Sequence, residues 1–283
     1  MSTKLSTTNH RADILGLTYV YPVLSRRAGG LSIGINFNTN NTCNWRCVYC
    51  QVPNLILGSA PELNIELLTE ELRRVLNSII TGDFYDHFDI PPDKRIIKDI
   101  AIAGNGEPTS LRNFAEAVTL IGEIATELGV FPDSHYVLIT NGSLIHQPRV
   151  QEGLKALNRY GGQVWFKFDS ATGQGRSLIN NSAQSLNSAI NNLAIACELC
   201  PTTLQTCLLD YDGHGLSDTE KQAYLNALIA IKTRCQLSDI MLYTIARPSM
   251  QPEAPLLKAL PAEIMNDFSS EIRQLGFKVT VCR

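Results

Sequence analysis

The stretch LSIGINFNTNNTCNWRCVYC, residues 31–50, decides how the rest of the chain is read. Its first half, LSIGINFN (31–38), has the alternation of a β-strand. It runs directly into a loop holding Cys43, Cys47 and Cys50. The same order, a strand followed by a chemically loaded loop, recurs to the end of the chain. LLTEELRRVLNSII (67–80) has helical spacing, with Thr69 as the expected cap and Glu70 and Glu71 in the first turn. Strands are expected at 96–104, 135–142, 163–169, 202–210 and 239–245. Helices are expected near 111–128, 147–159, 182–199, 217–233 and 261–276, the last ending at a glycine. Residues 278–282 read as a closing short strand. Six βα units in order imply an α/β fold with a parallel sheet and right-handed crossovers. Residues 1–30 read as an N-terminal extension, with Arg26-Arg27 and Gly29-Gly30 in a loop, and 31–283 as the core.

Composition supports a packed domain. Apolar residues make up 44% and charged residues 18% of the 283 positions, which excludes a disordered chain. No apolar run reaches about 18 residues, so no transmembrane helix is expected. The opening MSTKLSTTNHRADILGLTYV lacks the apolar stretch of a secretory leader, which points to the cytoplasm. A net charge of −3 gives no global pull toward nucleic acid or an acidic membrane.

Eight cysteines in a cytosolic chain suggest metal binding, catalysis or burial rather than disulfides. Cys43, Cys47 and Cys50 form C-x3-C-x2-C, a spacing that chance places in roughly 0.6% of shuffled chains of this composition. Soft thiolates select iron–sulfur clusters, zinc or copper(I). A structural zinc site takes four closed ligands, and no fourth Cys or His lies nearby in sequence. Three cysteines on one loop suit a [4Fe-4S] cube with one iron left open for a small molecule. Zinc-bound or simply buried thiols are the competing explanation.

The loop resembles the signature of the radical S-adenosylmethionine (radical SAM) superfamily, including the aromatic Tyr49 before the third cysteine. That resemblance implies a partial (βα)6 TIM-like barrel and a [4Fe-4S] cluster on Cys43, Cys47 and Cys50. It further implies S-adenosylmethionine on the open iron and reductive cleavage to methionine and a 5′-deoxyadenosyl radical.

Three further segments follow expected strands, on the rim where active sites of parallel α/β folds gather. Gly104-Asn105-Gly106-Glu107-Pro108 resembles the superfamily's Gly-Gly-Glu-Pro segment, with Asn105 where the first glycine is often found. The resemblance implies binding of the methionine ammonium by backbone carbonyls and Glu107. An ordinary turn with Glu107 capping the next helix is the alternative. Asn141, in ITNGS, faces the cofactor in similar proteins, although Asn-Gly is also a common turn. Asp169 and Ser170 end the fourth strand, where similar proteins hold the ribose. Lys167 points the same way as Asp169 along a strand, so a structural Lys–Asp pair competes. No adenine-contact motif is recognisable in LQTCLLDYDG, and no residue is assigned to catalysis. Tyr243 could face the barrel or the helices. Arg247 suits a carboxylate or phosphate, or stands solvated in a loop. Cys197, Cys200 and Cys207 read as buried thiols rather than a second cluster.

The leading expectation is a radical SAM enzyme with an unidentified substrate and an electron donor such as a flavodoxin or ferredoxin. YCQVPN is distantly similar to the tRNA wyosine-base synthases, which makes a tRNA-modifying enzyme the first alternative. A non-catalytic iron–sulfur protein for electron transfer or sensing is the second. The slight negative charge favours a small molecule or peptide over tRNA as substrate.

Overall fold

The protein is described from a computed structural model, which covers residues 16–25 and 29–282. Arg26 and Arg27 lie outside the described residues. Eight strands form one sheet: β1 (Val20–Ser25), β2 (Gly30–Ile35), β3 (Ile97–Ile102), β4 (His135–Thr140), β5 (Gln163–Lys167), β6 (Thr202–Cys207), β7 (Asp239–Tyr243) and β8 (Val279–Cys282). They lie in chain order across the sheet. From β2 to β8 every pairing is parallel, and β1 pairs antiparallel with β2. β1 and β8 are the two open edges.

Helices cover the outer face: α1 (Ile65–Thr81), α2 (Phe114–Glu127), α3 (Pro148–Arg159), α4 (Gly173–Asn180), α5 (Leu186–Leu199), α6 (Asp218–Lys232) and α7 (Ala262–Gln274). Alternate strand residues pack beneath them, among them Ile33, Ile100, Leu138, Phe166, Leu204 and Leu242, each with at most 1% exposure. Their neighbours in sequence face the other way. Ser32, Gly34, Asp99, Ala101, Val137, Ile139 and Trp165, from four neighbouring strands, line one internal cavity. A sheet whose inner residues converge on one cavity is curved, as the expected partial barrel requires.

Three local differences from the sequence reading have simple causes. Helix α1 starts at Ile65, and its cap is Asn64, whose side chain accepts from the Leu67 amide at 2.9 Å. Thr69 lies inside the helix and donates back to the Ile65 carbonyl at 2.8 Å. Helix α4, opened by Thr172, follows β5 in a segment read as loop. Strand β1 falls within the expected extension because VYPVLS shows no clear alternation; all six of its residues pair with β2, and four of them are buried.

The entry to β1 is held by a buried acid. Glu71, on the inner face of α1, accepts from the backbone N–H groups of Thr18 (2.7 Å), Tyr19 (2.8 Å) and Val20 (3.2 Å). Removing that acceptor leaves buried donors unpaired, each costing about 1–3 kcal/mol. Glu71→Ala is therefore expected to lower unfolding stability by about 2–3 kcal/mol with an unchanged denaturant slope. A loss below about 0.5 kcal/mol in the same denaturation would show that β1 holds its place by strand pairing alone.

Candidate functional site

The cysteine loop has almost no regular structure, so its shape comes from fastenings at both ends. On one side it is tied to the C-terminus of α4. The Val48 amide donates to the Ile179 carbonyl at 2.8 Å, and the Arg46 amide to the Asn180 carbonyl at 3.2 Å. Asn181, in a left-handed conformation at φ 49°, donates its side-chain amide to the Arg46 carbonyl. On the other side it is tied to residues 249–253. Ser249 donates to the Val48 carbonyl at 2.6 Å, and Gln251 to the Val52 carbonyl at 2.9 Å. Arg46 grips Glu253 through both nitrogens, at 2.8 and 2.6 Å.

A cavity of about 310 Å³ opens at the C-terminal rim of the sheet. Cys43, Cys47 and Cys50 line it together with Gly104, Gly106, Glu107, Thr140, Asn141, Lys167 and Arg247. Three of the four rim segments singled out in the sequence therefore meet at one cavity. At Gly106 a Cβ would lie 1.9 Å from the Thr42 carbonyl oxygen, so only glycine permits this approach of the 104–108 turn to the cysteine loop.

Glu107 is 2% exposed and its carboxylate collects four donors. They are the Thr109 amide (3.1 Å) and hydroxyl (2.6 Å), the Thr140 hydroxyl (2.6 Å) and the Asn141 amide (2.7 Å). Burial pushes its pKa up, and these donors pull it back. The carboxylate thus caps the short turn after it and joins two strand ends. Asn141 carries the link onward, donating its side-chain amide to Asn44 at 2.8 Å. Asn105 does not line the cavity; its amide side chain turns to Asn41 at 2.7 Å.

Asp169 and Ser170 sit beside this cavity rather than on its wall. Asp169 accepts from the Cys207 amide (2.9 Å), the Asn180 side chain (2.7 Å) and the Tyr49 hydroxyl. Ser170 donates to Glu220 at 2.9 Å. Lys167 does reach the cavity. Its ammonium donates to the Tyr243 hydroxyl at 2.7 Å and lies 5.0 Å from the Tyr49 ring centroid. Burial lowers the pKa of Lys167, but the Tyr243 phenol, Asp169 and Cys47 outweigh it and hold the lysine charged. Tyr243 faces the barrel interior, which resolves its orientation.

The thiols are set in apolar surroundings. Burial pushes Cys47 up to about 11 and Cys43 up to about 12. Thiolates there need positive charge and donors nearby. Donors are in place: the Asn180 side chain reaches the Cys47 sulfur at 3.2 Å, and the Trp45 amide reaches the Cys43 sulfur at 3.4 Å. Among the described residues no three His, Cys, Asp or Glu side chains stand close enough to share one metal ion. Cys200 is buried and donates to the Gly162 carbonyl, consistent with a structural thiol.

Residues 37–223 match the Radical SAM superfamily. The chain belongs to that superfamily. Members of that superfamily use a [4Fe-4S] cluster and S-adenosylmethionine. The donor set just described fits both groups. Among curated proteins, two Helicobacter pylori "UPF0026 protein" sequences, from strains ATCC 700392 / 26695 and J99 / ATCC 700824, are 28% identical over 137 residues. The match spans 47% of this chain and 38% of those relatives. Among solved structures, a radical SAM methyltransferase from Sphaerobacter thermophilus is similar with TM-score 0.61 and 15% identity, covering 93% of this chain and 68% of that one. TYW1 with a lysine-pyruvate adduct bound is similar with TM-score 0.54 and 14% identity, covering 87% and 74%. At such identities these likenesses speak for the fold alone.

Sequence reasoning missed the fastenings of the loop, because Asn180, Ser249 and Glu253 are distant in sequence and carry no motif. Single Cys43→Ala, Cys47→Ala and Cys50→Ala variants should each lose most of the iron after anaerobic reconstitution, while the Cys197→Ala/Cys200→Ala double variant keeps it. Iron at the wild-type level in all three single variants would sink the ligand assignment. Asp169→Ala should retain the thiolates yet release iron faster to a chelator, since Tyr49 and Asn180 lose their common acceptor.

Proposed function

We propose that the enzyme cleaves S-adenosylmethionine reductively at a [4Fe-4S] cluster held by Cys43, Cys47 and Cys50, and that the resulting radical abstracts hydrogen from a small molecule or peptide. The observation carrying this reading is one cavity bordered at once by the three cysteines, the Gly104–Glu107 turn and a charged lysine. When bound, the cluster supplies the electron that splits the sulfonium into methionine and a 5′-deoxyadenosyl radical.

The chain's own residues bind and orient. Carbonyls of the turn at Gly104 and Gly106 receive the methionine ammonium, and Glu107 fixes that turn while adding negative charge. Lys167 offers a fixed cation to the methionine carboxylate. Asn141 holds the rim between Glu107 and Asn44. Asp169, placed beneath Tyr49, keeps the aromatic ring of the loop in position, and Ser170 supports the same strand end through Glu220. An electron donor such as a flavodoxin or ferredoxin completes the cycle, and the work is done in the cytoplasm.

The first alternative, a tRNA-modifying enzyme of wyosine type, gains little from the charges. Arg73 is held by Glu127 at 2.6 Å, and Arg95 by Asp86 at 2.9 Å, away from the cavity rim. Phosphate binding needs several cations arranged on one face.

The test is anaerobic reconstitution followed by reduction with S-adenosylmethionine; 5′-deoxyadenosine and methionine should form together. An iron-loaded protein that releases neither would remove the reading. Glu107→Ala should weaken S-adenosylmethionine binding about ten- to a hundred-fold, the worth of a charge-assisted hydrogen bond, with iron retained. Bulk tRNA in filter binding should show no salt-sensitive affinity at micromolar concentration; tRNA-dependent 5′-deoxyadenosine would reverse the preference.

A further inference from the structure

Below the rim lies a second internal cavity of about 270 Å³. It shares Ala103, Ile139, Ala246 and Arg247 with the cysteine-lined cavity, so the two adjoin across these residues. Its walls are apolar: Val23, Ala101, Val137, Ile139 and Trp165. At its deep end stands Asp99, 8% exposed, with one oxygen accepting from the Ser32 hydroxyl. Tyr21 forms another wall. Its ring lies flat on Gly34, where a Cβ would come within 2.2 Å of it, so the glycine exists to seat this ring. The Tyr21 hydroxyl sits within the field of both Asp99 and Arg247, and burial raises its pKa to about 12, keeping it a neutral donor.

A buried carboxylate in an apolar chamber is costly unless a cation or several donors complete it. Ser32 supplies one donor, and His135 on the neighbouring strand adds favourable charge without a hydrogen bond to it, which leaves room for a further donor. Burial raises the pKa of Asp99, so an incoming cation would gain by restoring its charge. At the other end Arg247 stands where the chamber meets the cofactor cavity. The chamber therefore has a negative floor, apolar walls and a positive mouth.

We propose that this chamber is the substrate site and that its ligand is a small zwitterion: a protonated nitrogen on Asp99 and Ser32, an aliphatic middle against Val137 and Trp165, and a carboxylate on Arg247. The inference rests on the reading above and names its substrate class. It places the carbon beside the carboxylate nearest the cofactor cavity. The volume admits a compact metabolite and leaves no room for a folded chain.

The test uses the full-length protein, anaerobic, with cluster reconstituted and S-adenosylmethionine present. Calorimetric titrations compare 4-aminobutyrate, 5-aminopentanoate and 6-aminohexanoate with pentanoate and pentylamine, which carry one charge each. At least one zwitterion should bind about tenfold or more tighter than either single-charge analogue, equivalent to about 1.4 kcal/mol. Asp99→Asn should remove the advantage over pentanoate, and Arg247→Gln the advantage over pentylamine. Arg247 is half-buried in a loop, so its variant should fold even if the Asp99 variant does not. S-adenosylmethionine affinity in Asp99→Asn should stay within about twofold of wild type. Zwitterions binding no better than pentanoate and pentylamine, or binding Arg247→Gln as tightly as wild type, would overturn the proposal. So would binding of bulk tRNA in place of the amino acids. Zwitterion binding without any 5′-deoxyadenosine formation would leave the chamber standing and remove the radical reading instead.

Discussion

The site depends on one carboxylate that draws three separate elements together. Asp169 accepts at once from the Tyr49 hydroxyl, the Asn180 amide and the Cys207 backbone. Tyr49 belongs to the cysteine loop, Asn180 ends α4, and Cys207 ends β6. An irregular loop loses much conformational freedom when fixed, and only buried, oriented hydrogen bonds can offset that cost. Asn180 shows the economy of the arrangement. Its side chain donates to both Asp169 and the Cys47 sulfur, while its carbonyl accepts from Arg46. One asparagine thereby fixes the loop, orients a thiol and ends a helix.

The sheet divides its two faces by chemistry. Under the helices lie close-packed aliphatic and aromatic side chains, in the pattern of a parallel sheet covered on that side. On the concave face the same strands present Ser32, Asp99, Lys167, Gln205 and Tyr243 among small residues. That inversion within single strands is what leaves two adjoining cavities on the concave face. Glu107 and Asp169 act alike here: each is a buried acid that ends a strand by collecting backbone and hydroxyl donors from its neighbours.

Much of this was legible in the sequence because it is local. Period-two strands and period-3.6 helices alternate so regularly that six parallel strands and their helices are found where expected, with boundaries displaced by a few residues. The cysteine spacing and the Gly104–Pro108 turn are also local and were read as site elements; both border the cavity, though Asn105 turns away from it. Strand β1 was missed because its place is decided by Glu71, some fifty residues on, and by pairing to β2. Asp169 and Ser170 were expected to meet the cofactor. Their partners Tyr49, Asn180 and Glu220 come from other elements, and no spacing rule links them. Asp99 and Tyr21 carried no signal either, since one reads as a strand-start acid and the other lies in an unremarked segment.

The distribution of charge bears directly on the proposed substrate class. With net charge −3 and surface arginines engaged by nearby acids, the protein exerts little long-range pull on any partner. On the proposed reading, discrimination occurs inside, where a fixed charge counts for more than one in open water. Lys167 and Arg247 set positive charge along the cofactor side, and Asp99 sets negative charge at the floor. On that reading, a ligand carrying charge of the wrong sign at either end would meet like charge at close range, a cost larger than the gain from any apolar wall. Specificity, on the same proposed reading, is a matter of what the interior refuses, set by three ionisable side chains that the sequence scatters over some 150 positions.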